Sequence, residues 1–344
     1  MSKMAPAEER LSHAFDAASR WPAELRSLTP RAAALMGARL GESPPVVWPH
    51  HLSAARQGML AGHGATLAAW IAVRQAAAGT PLVVGIAGGQ GSGKSTLAGL
   101  SAALLEREYR RRVAVLSLDD LYLPRAERAR LAEKVHPLFR TRGVPGTHDP
   151  EFGGQLLDRL TGRVPGSSDM ALPRFDKATD DRRAPADWTA VMAPVDVVLF
   201  EGWCVGATPQ PDADLAEPIN ALEREEDPDG RWRRAVNAAL ARGYADLFAR
   251  LDALVMLRLP DFEAALQFRE AQEAELRHTS GSGSRAMDPA AVVRFVAHYE
   301  RLTRHMLRDM PGDADLVLAL DAGHAVTDVA TGNAGRRFSK HSAH

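Results

Sequence analysis

The sequence predicts an α/β fold, with a parallel central sheet flanked by helices and a helical extension at the N-terminus. Short apolar runs recur from residue 82 onward, at "LVVGIA" (82–87), "VAVLSL" (113–118), "VDVVLF" (195–200), "LVMLRL" (254–259) and "LVLAL" (316–320). They are apolar throughout instead of alternating, as strands covered on both faces are. Helical patterns separate them, which implies right-handed βαβ units. The first run also leads directly into a glycine-rich turn and then a helix.

Taken in order, residues 1–80 carry two Ala-rich amphipathic segments, "EERLSHAFDAASRW" and "GATLAAWIAVRQAAAG", broken at "GESPPVVWPH". They hold no motif tied to chemistry and read as an extension packed on the core. The main domain is expected over 81–329, and the polar tail 330–344, "ATGNAGRRFSKHSAH", reads as disordered.

The stretch "GIAGGQGSGKSTLAG" (85–99) contains Gly88-x-x-x-x-Gly93-Lys94-Ser95, the phosphate-binding P-loop pattern. Its glycines let the backbone wrap tightly and aim N–H groups at the phosphates of a nucleotide. The expected nucleotide contacts are Gly88, Gly89, Gln90, Gly91, Ser92, Gly93, Lys94, Ser95 and Thr96. Lys94 reaches toward the β- and γ-phosphates, Ser95 offers a hydroxyl to Mg²⁺, and the helix that follows adds its positive N-terminal end.

Bulk properties exclude several classes. Lys plus Arg total 42 against 43 Asp plus Glu, so no basic excess asks for nucleic acid, and aromatics at 6% leave little surface for stacking bases. No apolar run approaches the length of a membrane span. Cys204 is the single cysteine, which rules out an intrachain disulfide and suits a reducing, cytoplasmic setting. The N-terminus lacks the apolar stretch of a signal peptide.

Ligands of open parallel sheets lie beyond the carboxyl ends of the strands, so polar residues there are candidates. "VAVLSLDDLY" puts Asp119 and Asp120 at one such end, and "VDVVLFEGW" puts Glu201 at another. An isolated acid after a strand is as readily a helix cap. Three acids beside a P-loop favour phosphoryl transfer, in which a carboxylate accepts the proton of an attacking hydroxyl and others hold a magnesium shell. Two long connections, 136–152 and 163–187, and a glycine-containing segment, "HTSGSGSRAMDP" (278–289), resemble functional loops and a mobile lid tip over about 261–289.

"SLDDLY" after a P-loop, with "VVLFEGW" on the next apolar run, resembles the small-molecule kinases related to uridine kinase, pantothenate kinase and phosphoribulokinase. Within that group "SLDDLYLP", "RGVPGTHDPEFG", "LPRFDKATDDR", "VVLFEGWCVG" and "LQFREAQEAELR" look like D-glycerate 3-kinase and its kinase-like relatives, over about residues 81–321. The resemblance implies ATP and Mg²⁺ as cofactors and a small anionic hydroxy acid, D-glycerate, as acceptor. It implies Asp119 as general base, with Asp120 as the alternate, and Ser95, Asp119 and Glu201 as magnesium ligands. Leu121 stands where the group often has Phe. The implied substrate-binding set is Asp120, Tyr122, Arg142, His148, Asp149, Arg174, Asp176 and Lys177, rich in the cations and hydroxyl partners such an acceptor needs. Arg269 and Arg277 fall on the implied lid helix and would meet the transferring phosphoryl group. Another acceptor (a nucleoside, pantothenate or a sugar phosphate) and a nucleotide-hydrolysing switch acting on a protein partner are the alternatives.

Overall fold

A computed structural model describes residues 6–26, 54–164, 169–280 and 287–332. The strands, in chain order, are β1 (Leu82–Gly88), β2 (Val113–Ser117), β3 (Asp169–Leu172), β4 (Phe175–Asp176), β5 (Asp181–Arg182), β6 (Thr189–Met192), β7 (Val197–Gly202), β8 (Ala253–Arg258), β9 (Leu316–Leu320) and β10 (Val326–Thr331). The helices that matter below are α1 (Pro6–Ser19), α2 (Ala54–Ala78), α3 (Lys94–Tyr109), α4 (Arg125–Lys134), α5 (Pro150–Leu160), α6 (Ala221–Glu226), α7 (Arg231–Ala239), α8 (Phe262–Ser280) and α9 (Pro289–Asp309).

The main sheet has the order β10-β9-β8-β1-β7-β2, and every pairing is parallel except β10 with β9. The five expected apolar runs are its five parallel strands. Both faces are buried. Leu82, Val84 and Ile86 of β1 join a core with Leu67, Ile71, Leu97, Leu100 and Phe268. Val83 and Ala87 of the same strand join the opposite core, with Leu156, Phe200, Tyr244 and Met306. Each fully buried Leu, Val or Ile contributes about 1.5–3 kcal/mol relative to exposure, which is why uniformly apolar strands settle only between two layers.

Helix α2 packs on α3, and its Leu67, Ala68 and Ile71 share the β1 core, so residues 54–78 close one face of the sheet. The sixth strand, β10, is absent from the sequence reading. Its burial alternates irregularly because the register with β9 shifts between Val326 and Asp328, which hides the two-residue period. The stretch 163–187, read as a long connection, contains three short strands: β3 pairs with β6 just beyond it, and β4 with β5. Residues 281–286, where the lid tip is expected with Gly281 and Gly283, and 333–344, most of the expected tail, lie outside the described residues.

Candidate active site

The P-loop joins β1 to α3. Gly91 has φ +73, and a Cβ on it would meet the Phe268 Cβ of α8 at 2.9 Å, so both backbone and space require glycine there. Helix α3 starts at Gly93 without a side-chain cap and without an acid in its first turn. Its first N–H groups and its dipole are thus left for an anion. Lys94 Nζ donates to the Gly89 carbonyl at 2.9 Å, and burial lowers its pKa against the pull of Glu201 and Asp119. Ser92 Oγ is buried without a partner among the described residues.

Register then brings in the acids. Strand β7 lies between β1 and β2, and Glu201 pairs with Ile86 on one side and Ser117 on the other. The strand runs on through Gly202, so Glu201 lies within it and not after its end, as the sequence reading had it. Glu201 is only 6% exposed, and its Oε1 accepts a hydrogen bond from Ser95 Oγ at 3.1 Å. This pair offers hard oxygen donors next to the phosphate cradle. Among the described residues no cluster of three or more His, Cys, Asp or Glu could hold a metal by itself. That fits magnesium, which is held by one or two protein oxygens together with nucleotide phosphates and water.

Past β2 the chain makes a 3₁₀ turn, Leu118–Leu121, in which consecutive acids point to different tasks. Asp119 meets Lys177 Nζ at 2.6 Å. Burial pushes its carboxyl up, but Lys177, His148 and Lys94 together outweigh this and hold it below its ordinary value. Asp120 is turned toward β4: Oδ2 accepts from Arg174 at 2.8 Å and Oδ1 from the Phe175 N–H at 3.0 Å. Both oxygens of Asp120 and the head of Arg174 are therefore spent on anchoring the loop that carries Lys177.

The segment 121–123 pairs with 147–149, through Leu123 N–H to the Thr147 carbonyl at 2.9 Å and Asp149 N–H to the Leu121 carbonyl at 2.8 Å. This stacks the Tyr122 and His148 rings with centroids 4.3 Å apart. His148 is buried, which lowers its pKa to about 3 despite the nearby Asp119 charge, so the ring is neutral at physiological pH. Asp149 caps α5, its Oδ1 accepting from the Phe152 N–H at 3.0 Å. Asp176 likewise closes its own turn on the Ala178 N–H at 2.9 Å, and this bond lowers its pKa.

The turn before His148 is fixed from three sides. Gly143 has φ +134, and a Cβ there would meet Tyr299 Oη at 1.9 Å. Tyr299 Oη donates to the Arg142 carbonyl at 3.0 Å, and Trp203 Nε1, from "FEGW", donates to the Gly143 carbonyl at 2.9 Å. The two sequence motifs thus depend on each other physically. The Arg142 side chain lies over Phe175 and pairs with Asp180, which Arg128 also holds at 2.9 Å.

Helix α8 crosses the P-loop. Arg269 pairs with the buried Glu273, donates to Gln272 at 3.0 Å and lies 5.2 Å over the Phe295 ring of α9. The side chain of Arg277 lies outside the described residues. Three contributors escape the sequence reading: Arg128, Tyr244, and His324, which stacks on Phe268 at 3.3 Å and bonds the Gly91 backbone. Burial and the Arg56 charge lower the His324 pKa to about 4. Tyr244 and His324 reach the site from distant segments, and Arg128 ties the Asp119 turn to Asp180, 52 residues on. Cys204 is buried and its thiol pKa pushed up, which makes it an inert core residue. No helix among the described residues is long and apolar enough to cross a membrane.

No protein-family model matches the chain. An uncharacterised kinase of Schizosaccharomyces pombe, mug58, is 35% identical over 238 residues, which is 64% of this chain and 79% of that protein. The chain belongs to the family of D-glycerate 3-kinase and its kinase relatives, within the P-loop small-molecule kinases. The chloroplastic D-glycerate 3-kinase of Arabidopsis thaliana is 29% identical over 250 residues, covering 70% of this chain and 52% of that enzyme, so the chain spans about half the plant enzyme's length. The solved D-glycerate 3-kinase of Cryptococcus neoformans superposes with a TM-score of 0.64 at 26% identity, covering 78% of this chain and 98% of that structure. Membership of the family makes the chain an ATP-dependent small-molecule kinase.

Proposed function

We propose that the chain transfers the γ-phosphoryl group of ATP to a hydroxyl of D-glycerate, with magnesium. The observation that carries this reading is the Asp119–Lys177 pair beside the P-loop. It sets a proton acceptor next to a cation that suits an acceptor's carboxylate. The two relatives named D-glycerate 3-kinase support the choice of acceptor.

In this reading Asp119 takes the proton of the acceptor hydroxyl. The Lys177 side chain is 63% exposed and leaves Asp119 for the substrate carboxylate as the acceptor enters. Lys94 and the P-loop N–H groups orient the phosphates, and Arg269, with Arg277 beyond it on α8, faces the charge on the transferring group. Tyr122 and His148 wall the acceptor site. Asp120, Arg174, Asp149 and Asp176 shape it through the bonds described above, and Arg142 holds the Asp180 turn near Lys177. Ser95 and Glu201, with Asp119 nearby, would hold magnesium, which supplies charge neutralisation at the phosphates.

The test is ADP release with magnesium-ATP and a panel of D-glycerate, L-glycerate, uridine, pantothenate and no acceptor. Turnover that depends on D-glycerate supports the reading. Turnover with another acceptor alone keeps the kinase and replaces the substrate, and release indifferent to every acceptor removes the kinase reading.

A further inference from the structure

Tyr244 lies 96 residues from His148 in sequence, at the end of a kinked connection between two helices, Leu240–Tyr244. Arg242 breaks the helical path there with φ −113 and ψ −107. Gly243 packs so closely that a Cβ would meet Pro150 Cγ at 2.8 Å, and the turn drives the buried Tyr244 hydroxyl under the loop leading into α5.

There Tyr244 Oη accepts from the Gly146 N–H at 3.0 Å and from the His148 N–H at 3.3 Å. A phenol oxygen has two lone pairs, both now taken, and a single proton of its own. The remaining neighbour of the hydroxyl is His148 Nδ1 at 2.6 Å. A proton on Nδ1 would make a third donor to a filled oxygen and leave the phenol proton without an acceptor. Nδ1 is therefore the acceptor, and the ring's own proton sits on Nε2. That Nε2 is buried and has no partner among the described residues, on a ring that feels the Asp119 charge. A buried donor left empty is costly, so the site is built for an oxygen that fills it.

We propose that Tyr244 is a positioning residue that fixes His148 as the Nε2–H tautomer, so that the acceptor site presents one oriented donor beside the Asp119 carboxylate. The pair then selects acceptors that carry an oxygen lone pair next to the reacting hydroxyl, as vicinal hydroxyls and α-hydroxy carboxylates do. The inference rests on the acceptor site lying between Asp119 and His148.

The experiment uses the full chain with ¹⁵N-labelled histidine, and reads the tautomer from two-bond ¹H–¹⁵N correlations, with His148 assigned by its loss in His148→Ala. The expected pattern in the unmodified protein is a neutral ring protonated at Nε2. A ring protonated at Nδ1, or one averaging between tautomers, overturns the proposal. In Tyr244→Phe the pattern should move toward averaging, and the acceptor KM should rise about tenfold with kcat and the ATP KM changing much less. His148→Gln, which keeps a donor near the Nε2 position, should retain more acceptor affinity than His148→Ala. An unchanged acceptor KM in Tyr244→Phe once the tautomer has moved refutes the selective role, and equal losses in the Gln and Ala variants do the same. The tautomer is read without any acceptor, and the kinetic arm uses whichever panel acceptor turns over. Failure of D-glycerate as substrate is therefore distinguishable from failure of this inference.

Discussion

Replacing Arg128 with methionine tests how the acceptor site is held together. Arg128 is 1% exposed, and its guanidinium donates to three carbonyls: Leu123 at 3.2 Å, Arg140 at 2.9 Å and Asp180 at 2.7 Å. It also pairs with the Asp180 carboxylate at 2.9 Å. These partners belong to the chain leaving the Asp119 turn, the turn ahead of the His148 loop, and the β4–β5 tip beside Lys177. Methionine keeps an unbranched apolar stem and offers no donor. Hydrogen bonds to charged groups contribute about 1.5–3 kcal/mol each, and removing one partner of a buried ion pair costs about 3–5 kcal/mol. Asp180 is 34% exposed and keeps Arg142, so it is not stranded. The lower end is then appropriate, about 3 kcal/mol, or roughly a hundredfold in the folding constant. Urea unfolding followed by tryptophan fluorescence should show this as a lower midpoint at unchanged slope. The acceptor KM should rise while the ATP KM, set by the P-loop on β1, stays constant. Arg128→Lys should rescue little, because one ammonium cannot serve three directions in a plane. A loss below about 1 kcal/mol with both KM values unchanged would refute the role of this tie.

Other outcomes follow from individual contacts. Lys177 opposes the upward push of burial on the Asp119 carboxyl, so Lys177→Met should raise that pKa. Activity that needs ionised Asp119 is then lost at a higher pH, and the acid limb of kcat/KM should move up; a limb that stays put or moves down contradicts the pairing. Ser95→Ala should raise the magnesium concentration for half-maximal turnover by about 10–100-fold, measured by metal titration at fixed ATP. Asp149→Ala removes the cap on the Phe152 N–H and should cost about 1 kcal/mol of stability with the acceptor KM nearly unchanged. A tenfold rise in that KM would instead place Asp149 on the substrate.

What the sequence made legible follows from what local pattern encodes. Five parallel strands could be read because each is apolar on both faces, and the P-loop because its spacing is dictated by phosphate geometry. The edge strand β10 could not, since its shifted register with β9 breaks the alternation that marks a strand. At the site, Asp119 and Asp120 are equivalent as letters. The 3₁₀ turn separates them, sending one to Lys177 and the other to Arg174 and the Phe175 N–H. Asp149 reads equally as ligand or cap until its bond to the Phe152 N–H is seen. Tyr244 carries no local signal because its partner His148 lies 96 residues away, and Arg128 none because its role is completed by Asp180, 52 residues on.

The central claim is that Asp119 acts as base on an acceptor bound beside the P-loop. Its most direct test is Asp119→Asn, with D-glycerate-dependent phosphoryl transfer and nucleotide binding measured on the same sample. The expected result is a fall in kcat of about 10²–10⁴-fold with ATP affinity retained. Transfer at close to the original rate, with nucleotide bound as before, would contradict the assignment.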